Sequence, residues 1–328
     1  MFFSVVIPTF NRVRVLKECL KALFVQDLPF SDFEIIVVDD GSTDNTGEVV
    51  KKMAAAYGAP VEHSGAKAER SSFEAPTALI GEYESAKEKP AAANVAFANL
   101  RYLRQKNGGR GIAVNLGISK AQGKVIVLID DDFIATSSFL SEHMRYHLRH
   151  ESENEAVLGI TEWHPRLTQT PFMKWLANRS RLRFAYDNFF YTSNISMKKS
   201  LLIKHPFDPA FSDCGPEDIE LGCRLHRESG LKLFYNKKAV AYHNHAMDES
   251  GLKNRMRNIG TTSLVIHAKY PELKKVPSLF KRGILRLFGN SVCIRLFSLI
   301  RNMSQGRWSG PYFYALSNKY FLEGLEAG

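Results

Sequence analysis

Along the first 135 residues, unbroken apolar runs alternate with segments whose apolar positions have helical spacing. Unbroken apolar runs, SVVIPTF from Ser4 and EIIVVDD from Glu34, predict buried strands that end in turn-forming or acidic residues. Two more strands are predicted in NLRYLRQKNGG and GKVIVLIDDD, on either side of a helix from about Ile112 to Ala121. This alternation predicts an α/β fold, a mostly parallel sheet flanked by helices. The first helix has its apolar positions at helical spacing, at Val13, Leu16, Leu20, Leu23 and Phe24.

Two features divide the chain further. Residues from about 53 to 96 are rich in Ala, Glu and Lys without sustained periodicity, which predicts a surface insertion containing some local helix. The strand-like segment KAVAYHNHA, which ends at Ala246, closes the second half. We therefore expect one domain over residues 1–245, in two halves that meet near residue 135, followed by a helical region over residues 246–328.

Composition limits the class of protein. A chain of 328 residues that is 45% hydrophobic can bury a large core. The cysteines form no CxxC pair, so neither a zinc knuckle nor a disulfide framework is expected, and a reducing cytosol fits best. The chain starts as a strand without a signal-peptide pattern, and Arg or Lys interrupts every apolar stretch before 18 residues. We therefore expect a cytoplasmic protein. The four cysteines are Cys19, Cys214, Cys223 and Cys293.

Positive charge is concentrated near the C-terminus. The net charge is +10, and nine Lys or Arg residues lie between Glu272 and Glu323 with no acid among them. An apolar helical stripe runs through the same segment at Leu285, Phe288, Val292, Leu296 and Leu299, widened by Ile284, Leu287 and Ile294. Either this helix packs on the domain with its basic face in water, or it attaches the protein peripherally to an anionic cytoplasmic membrane surface. The segment has no nucleic-acid recognition pattern, so no nucleic acid is expected as a partner.

Two clusters of acids follow predicted strands. Asp39 and Asp40 end one apolar run, and Asp130, Asp131 and Asp132 end another. Ligands of parallel sheets bind beyond the carboxyl ends of the strands, so both clusters should face one crevice. Adjacent ionised carboxylates repel each other unless they are hydrated, paired or bound to metal. The clusters thus indicate either a solvated acidic turn or a site for a hard divalent cation.

Six segments carry a resemblance to a known family. SVVIPTFNR, EIIVVDDGSTDNT, RQKNGGRGIAVNLGI, VLIDDD, TSNISM and GPEDIELGCRL occur in this order between residues 3 and 245. Together they resemble the family 2 glycosyltransferases of the GT-A fold. The resemblance implies metal-dependent, inverting transfer of a sugar from a nucleotide-diphosphate sugar, with UDP expected, to a hydroxyl of a glycan or lipid-linked glycan in surface polysaccharide assembly. Residues 1–135 would then bind the nucleotide and residues 136–245 the acceptor.

The resemblance also implies roles at the donor end. Asp130 and Asp132 match the D-x-D motif, with Asp132 binding Mg²⁺ or Mn²⁺ and Asp130 or Asp131 holding the donor ribose. His243 and His245 alternate along one strand, and either is a further metal ligand or an ordinary histidine. Asp40 matches the aspartate that reads the base. The remaining donor-binding candidates are Pro8, Phe10, Asn11, Asn107 and Gly108, of which Phe10 either stacks on the base or belongs to the core.

At the acceptor end, the resemblance makes Asp218 the general base and Glu217 a hydrogen-bonding partner of either the acceptor or the loop. A helix N-terminus would lower the pKa of Asp218, and burial by a bound acceptor would raise it. The alternative is that both acids only favour the helix dipole. Trp163 and Asn194 are expected to line the acceptor cleft, although Trp163 fits a core position equally well. The family usually has an Arg before the Asn that is Asn115 here; Val114 stands there instead, and Arg110 is the alternative source of that charge.

Two other functions compete with this one. A nucleotidyltransferase that makes nucleotide sugars would carry a glycine-rich phosphate loop after the first strand, and PTFNRVRV contains no glycine. A non-catalytic module that binds nucleotide sugars would bind the donor without turnover, and the substitution Asp218→Asn would leave its behaviour unchanged.

Overall fold

A single mixed sheet forms the centre of the protein. The computed structural model describes residues 1–56, 99–183, 190–211 and 217–328, and eight strands lie within these ranges. Their order is β3-β2-β1-β4-β7-β6-β8-β5, in which the first four strands are parallel and β7 runs antiparallel to both β4 and β6. The strands are β1 Phe3–Thr9, β2 Phe33–Asp39, β3 Asn99–Arg104, β4 Val125–Ile129, β5 Phe133–Ala135, β6 Glu155–Trp163, β7 Asn194–Lys198 and β8 Lys232–His243.

Helices cover both faces of this sheet and continue beyond it. One buried apolar cluster joins β1, β2 and β4 to α1, α2 and α4, and a second joins the same strands to α3, α6 and α7. The expected α/β fold with helices on both faces is thereby confirmed. The helices are α1 Val13–Leu23, α2 Thr46–Ala56, α3 Arg110–Lys120, α4 Phe139–His147, α5 Pro171–Arg183, α6 Lys199–Lys204, α7 Glu217–Ser229, α8 Glu249–Lys269, α9 Leu279–Gly289, α10 Ser291–Met303 and α11 Gly310–Ala327.

The apolar runs form strands because water can be excluded from both of their faces. Every residue of β1, β2 and β4 is buried, as unbroken apolar patterning predicts for central parallel strands. In α1, Leu16, Leu20 and Leu23 are at most 1% exposed, so the predicted helical face is the one that packs. Because β1, β2 and β4 are parallel, the polar residues that follow these strands lie at the same end of the sheet.

The predicted boundaries need two adjustments. The sheet is continuous across residue 135, because β5 pairs with β8 and β4 pairs with β7. The insertion begins later than residue 53, since Met53 and Ala54 are buried in the last turns of α2. Residues 57–98, which hold the remainder of the predicted insertion, lie outside the described residues. The division into two halves and a C-terminal region stays a prediction.

The C-terminal region is helical, and two of its helices cross at close range. A Cβ on Gly260 of α8 would lie 2.2 Å from the carbonyl oxygen of Phe321, and one on Gly324 of α11 would lie 2.1 Å from that of Arg257. Paired glycines thus allow the two backbones to touch. Together with α5, these helices enclose a third apolar cluster around Phe172 and Phe313.

Helices α9 and α10 differ from the single helix expected there. Asn290 ends α9, and its side chain accepts a hydrogen bond from the Cys293 amide to begin α10. The predicted stripe does not pack on the domain: Val292 is 75% exposed and Leu299 is 60% exposed. Only the neighbouring Ile294 joins the third cluster as a partly buried member. The interpretation of this stripe as a packing face is therefore wrong for most of its length.

Candidate active site

One arginine neutralises two of the three adjacent carboxylates after β4. Arg12 Nη1 lies 2.9 Å from Asp131 Oδ1, and its Nη2 lies 2.7 Å from Asp132 Oδ2. Thr9, at the end of β1, donates from its hydroxyl to Asp131 Oδ2 at 2.7 Å. The repulsion expected from the sequence is thus relieved by a guanidinium from the loop after β1. Burial raises the pKa of Asp131 to about 7, although Arg12 and Thr9 oppose that shift.

Asp132 also faces a histidine across a pair of strands. Phe133 of β5 is opposite His243 of β8, and this pairing brings His243 Nδ1 to 3.3 Å from Asp132 Oδ1. Burial alone would raise the pKa of Asp132, but the contacts with His243 and Arg12 lower it below its ordinary value. Asp132 is therefore ionised across the neutral pH range and has one oxygen directed at an imidazole.

Arg110 connects the third carboxylate to the start of α7. Its Nη2 lies 2.8 Å from Asp130 Oδ1, and its Nη1 lies 3.6 Å from Glu217 Oε1. The same guanidinium donates to Thr192, at 2.7 Å to the hydroxyl and 3.2 Å to the carbonyl oxygen. Residue Val114 leaves no charge beside Asn115, whose side chain binds the backbone of Phe207 instead. Arg110 therefore places a positive charge beside Asp130 and Glu217, and its role in place of the family's arginine stays a prediction.

The two acids that open α7 have different surroundings. Glu217 is 7% exposed, and its Oε2 accepts no hydrogen bond from the described residues. Asp218 is partly exposed, and its Oδ1 accepts a hydrogen bond from the Ile219 amide at 2.8 Å. Burial and the charge of Glu217 raise the pKa of Asp218 to about 7, against the opposing effect of Arg110. Asp218 can thus exchange a proton near neutral pH.

These groups line one cavity of about 460 Å³. Its size lies within the range of roughly 300–1,000 Å³ that is typical of small-molecule sites. Acidic and basic side chains line it together with aromatic and apolar ones, so the cavity could hold a polar ligand with a ring against an apolar side chain. The charged lining groups are Arg12, Arg110, Asp130, Asp132, Glu217, Asp218, His243, His245 and Arg255. The aromatic lining residues are Trp163, Trp175 and Tyr191.

Comparison with known proteins decides the family. The sequence profile described as "Glycosyl transferase family 2" matches residues 4–63 and 85–202, which is more than half of the chain. The chain is a family 2 glycosyltransferase. Its polar cavity at the carboxyl ends of β1 and β4 is accordingly the candidate active site of a glycosyltransferase.

Two curated relatives are similar over most of this glycosyltransferase. Chondroitin synthase of Escherichia coli is 24% identical over 307 residues, covering 82% of this chain and 38% of its own length. A Methanococcus voltae dolichyl N-acetyl-alpha-D-glucosaminyl phosphate 3-beta-D-2,3-diacetamido-2,3-dideoxy-beta-D-glucuronosyltransferase is 21% identical over 282 residues, covering 82% of this chain and 75% of its own length. The glycosyltransferase thus spans well under half the length of the first relative. Its relatives include enzymes of polysaccharide synthesis.

Solved structures show the same fold. Residues 1–349 of TarS from S. aureus superpose with a TM-score of 0.50 at 16% identity, covering 100% of this chain and 91% of that one. The mannosyltransferase PcManGT from Pyrobaculum calidifontis, in complex with GDP-Man and Mn²⁺, gives a TM-score of 0.56 at 16% identity, covering 96% and 85%. At this identity the likeness establishes the GT-A fold alone. The ligands of this glycosyltransferase have to be inferred from its own residues.

The lining residues suit a divalent cation that is shared with a substrate. Asp132 supplies a carboxylate and His243 an imidazole, 3.3 Å apart, and Asp130 and His245 line the same cavity. Within the described ranges, no group of three or more His, Cys, Asp or Glu is arranged to hold a metal ion. Mg²⁺ and its relatives commonly take one or two protein carboxylates and complete their shell with phosphate and water oxygens. The carboxylates and imidazoles that line the cavity fit that kind of metal site.

Most of the residues predicted to bind the donor lie beside the cavity and do not line it. Asn11 and Asp40 illustrate this, because the side-chain oxygens of both residues accept hydrogen bonds from other parts of the protein. Asn11 Oδ1 accepts from the Thr43 amide at 2.7 Å, and Asp40 accepts from the amides of Gly108 and Gly109, both at 2.9 Å. Asp40 also accepts from Gln105 at 2.7 Å, so three of its roughly four lone pairs are in use. Reading of a base by Asp40 stays a prediction.

The other donor candidates divide by exposure. Phe10 is 44% exposed, so the core alternative is wrong and its ring is available at the surface. Asn107 is exposed on the loop before α3, whereas Pro8 is buried within β1. Asp131 is only 3% exposed, with both of its oxygens bound by Thr9 and Arg12. Of the two carboxylates considered for the ribose, Asp130 lines the cavity and Asp131 does not, and a contact of either with a ribose stays a prediction.

Of the two residues predicted to line the acceptor cleft, one does not reach the cavity. Asn194 is completely buried, and its side-chain amide donates to the Ile160 carbonyl oxygen at 2.9 Å while its Oδ1 contacts His143 Nε2 at 3.1 Å. Asn194 therefore ties β7 to neighbouring elements inside the sheet. Trp163, at the end of β6, does line the cavity, and its ring centroid lies 5.0 Å from that of His243.

The sequence missed several residues of the cavity. Arg12 ends the quoted segment SVVIPTFNR, and the need of three adjacent carboxylates for a counter-charge could have identified it. Arg255, Met256 and Ile259 of α8 also line the cavity, although they belong to the C-terminal region. No local pattern marks them, because they reach the site only through the packing of α8 against the rest of the protein.

Proposed function

We propose that this glycosyltransferase transfers a sugar from a nucleotide-diphosphate sugar, most simply a UDP-sugar, to a hydroxyl of a glycan or lipid-linked glycan. Transfer would depend on Mg²⁺ or Mn²⁺ and would invert the anomeric centre. The observation that carries the proposal is that the ionised Asp132, its neighbour His243 and the proton-exchanging Asp218 line the same cavity. A solved TarS structure in complex with UDP-GlcNAc, at a TM-score of 0.51, supports the class of donor.

Asp132 and His243 would hold the cation, with Asp130 beside them. A bound divalent cation would act as a Lewis acid and stabilise the charge of the departing nucleotide diphosphate. Arg12 holds Asp132 in position through the 2.7 Å contact and keeps it ionised. Arg110, 2.8 Å from Asp130, adds positive charge where the diphosphate would lie.

Asp218 would take the proton of the acceptor hydroxyl as the sugar carbon is attacked. A base whose pKa lies near the working pH is best suited to this step, and general base catalysis contributes roughly 10²–10⁴-fold. Glu217 Oε2, buried and without a partner among the described residues, would accept a hydrogen bond from the acceptor. Displacement by one base, without a protein nucleophile, is the reason for proposing inversion.

The acceptor would lie against the aromatic side of the cavity. Trp163 offers a ring face there, and sugar rings commonly rest their apolar faces on such rings. The relatives named for chondroitin and for a dolichyl phosphate-linked sugar support a glycan or lipid-linked acceptor in surface polysaccharide assembly.

The test is nucleotide release from a panel of UDP-, GDP- and other nucleotide-linked sugars, with and without a chelator. We expect metal-dependent release of a nucleoside diphosphate from at least one donor, and Asp132→Asn should reduce it by about 10²-fold or more. The proposal fails if no donor is turned over in the presence of metal, or if Asp132→Asn is fully active.

The same panel separates the competing functions. Pyrophosphate in place of a nucleoside diphosphate would indicate a nucleotidyltransferase. Donor binding by calorimetry without turnover, unchanged in Asp218→Asn, would indicate a non-catalytic module.

A further inference from the structure

Exposed apolar side chains are concentrated on α9, α10 and the turn that follows them. Nineteen large hydrophobic residues are exposed in the described part of the chain, and eleven of them lie between Leu279 and Trp308. Monomeric soluble proteins rarely expose so continuous an apolar patch unless it binds something. We call this surface the α9–α10 face. It comprises Leu279, Phe280, Ile284, Leu287, Phe288, Val292, Leu296, Leu299, Ile300, Met303 and Trp308.

The two helices lie end to end with a bend between them. The angle between Leu279–Gly289 and Ser291–Met303 is 48°, and no single helix among the described residues has the length and apolar character needed to cross a bilayer. The two helices reach that threshold only when they are taken together. A bent amphipathic pair with one apolar side is suited to lie along an interface.

Basic side chains accompany the apolar ones. No Asp or Glu occurs from residue 273 to residue 322. Arg286 and Arg301 form ion pairs with acids of α11 and α8, at 2.6 and 2.8 Å. Among the described residues, Lys281, Arg295 and Arg307 have no acid within salt-bridge distance, so their charge is directed at solvent.

We propose that the α9–α10 face docks on an anionic lipid bilayer. Its apolar side chains would enter the boundary between headgroups and acyl chains, and the neighbouring Lys and Arg would contact lipid phosphates. A second copy of the chain is a poorer occupant, because a symmetric pairing would bring two faces of the same positive charge together. An anionic membrane satisfies both the apolar area and the charge.

Docking would also fix how the active site meets the membrane. Arg301 of α10 contacts Glu249 in the first turn of α8 at 2.8 Å, and α8 supplies Arg255 and Met256 to the cavity wall. The docking face and the cavity are therefore parts of one packed unit. The inference does not depend on the proposed chemistry, because lipid binding is measured without any donor or acceptor.

The test is sedimentation of the full chain with vesicles of phosphatidylcholine or of an equal mixture of phosphatidylcholine and phosphatidylglycerol. We expect binding to the mixed vesicles, weakened by high salt, and binding at least about ten-fold weaker to phosphatidylcholine alone. The double variant Leu296→Glu/Leu299→Glu should lose about ten-fold or more of the affinity for mixed vesicles. Leu148→Glu is the matched control, because Leu148 on the catalytic domain is 63% exposed and Leu299 is 60% exposed.

Three outcomes would overturn the proposal. The first is no sedimentation of the wild type with mixed vesicles. The second is equal loss of binding in Leu148→Glu and in the double variant. The third is a dimer in the wild type, measured by light scattering, that the double variant converts to a monomer without a change in lipid binding; this result would assign the face to a second copy. Melting curves of all variants show whether the substitutions disturb the fold.

Discussion

Asp218 and Glu217 are neighbours in sequence, but their surroundings give them different chemistry. Glu217 lies 3.6 Å from the Arg110 guanidinium. Asp218 forms no ion pair within the described residues, and burial together with the charge of Glu217 raises its pKa to about 7 against the opposing charge of Arg110. Asp218 can therefore change its protonation state near neutral pH.

This difference predicts a pH-dependent rate. Below the pKa of Asp218, near 7, the fraction of the carboxyl available as a base falls, so kcat/KM of the wild type should decrease about ten-fold per pH unit toward acid. Glu217→Gln removes one of the charges that raise this pKa, so the acid limb should move to lower pH. Rates from pH 5 to 9 with a stable donor provide the measurement.

Asp218→Asn is the informative comparison for that profile. We expect it to lose activity by about 10²–10⁴-fold and to lose the acid limb as well. An unchanged limb in Asp218→Asn would show that another group titrates, and the assignment of Asp218 as the base would be wrong.

At the level of single residues, the sequence could identify acids but not the direction in which their side chains point. Asp130 and Asp132 line the cavity as expected, whereas Asp131 between them turns inward toward Thr9. That alternation follows from the loop geometry after β4, which no spacing of apolar residues encodes. Asn194 was assigned to the wrong environment because a buried amide and a ligand-binding amide look alike in sequence.

Among the elements, α8 links the C-terminal region to the active site. Arg255 projects from it into the cavity, and its charge interacts with Asp130, Asp132 and Asp218. A hydrogen bond to a charged ligand is worth about 1.5–3 kcal/mol. Arg255→Ala should therefore lower kcat/KM by about ten-fold or more while leaving the melting temperature almost unchanged, because the side chain is exposed.

Lys253→Ala is the matched control for this substitution. Lys253 lies on the same helix, but its ammonium contacts the Tyr320 ring, 5.8 Å from the centroid, and does not line the cavity. Equal kinetic effects of the two substitutions would mean that Arg255 acts only through the general positive charge of the helix.

The crossing of α8 and α11 should tolerate no side chain at its closest point. In Gly260→Ala the added Cβ would lie 2.2 Å from the Phe321 carbonyl oxygen, so the backbones must separate. We expect a loss of about 1–3 kcal/mol in the free energy of unfolding, measured by denaturant titration. Gly283→Ala on α9 is the control, since its Cβ would meet nothing within 4 Å and should stabilise the helix by about 0.5–1 kcal/mol.

Elements of the sheet were more predictable than those of the C-terminal region. β1, β2 and β4 are buried on both faces, and a continuous run of apolar residues predicts this kind of burial directly. The break between α9 and α10 depends on Asn290 acting as a cap, in a segment where the apolar stripe continues unbroken through the bend. Periodicity alone cannot separate a cap from an ordinary polar residue on a helix.

At the scale of the whole molecule, the cavity lies where the sheet meets the C-terminal helices. Residues at the ends of β1, β4 and β8 are among its charged lining groups, and α5 and α8 supply much of its apolar lining. Phe313 of α11 is completely buried between them, with its ring centroid 4.9 Å from that of Phe172 and 5.4 Å from that of Trp175. The apolar wall of the site therefore depends on a core that the C-terminal region completes.

This dependence predicts that damage to the C-terminal core reaches the active site. Phe313→Ala should reduce the free energy of unfolding by about 3–5 kcal/mol, and the unfolding should remain a single transition. The increase in melting temperature caused by a bound nucleotide diphosphate should also be smaller than in the wild type, because Trp175 loses its support against the cavity. Calorimetry with and without UDP provides both quantities. Two separate transitions, with the upper one still responding fully to UDP, would instead mean that the sheet holds the ligand without the C-terminal helices.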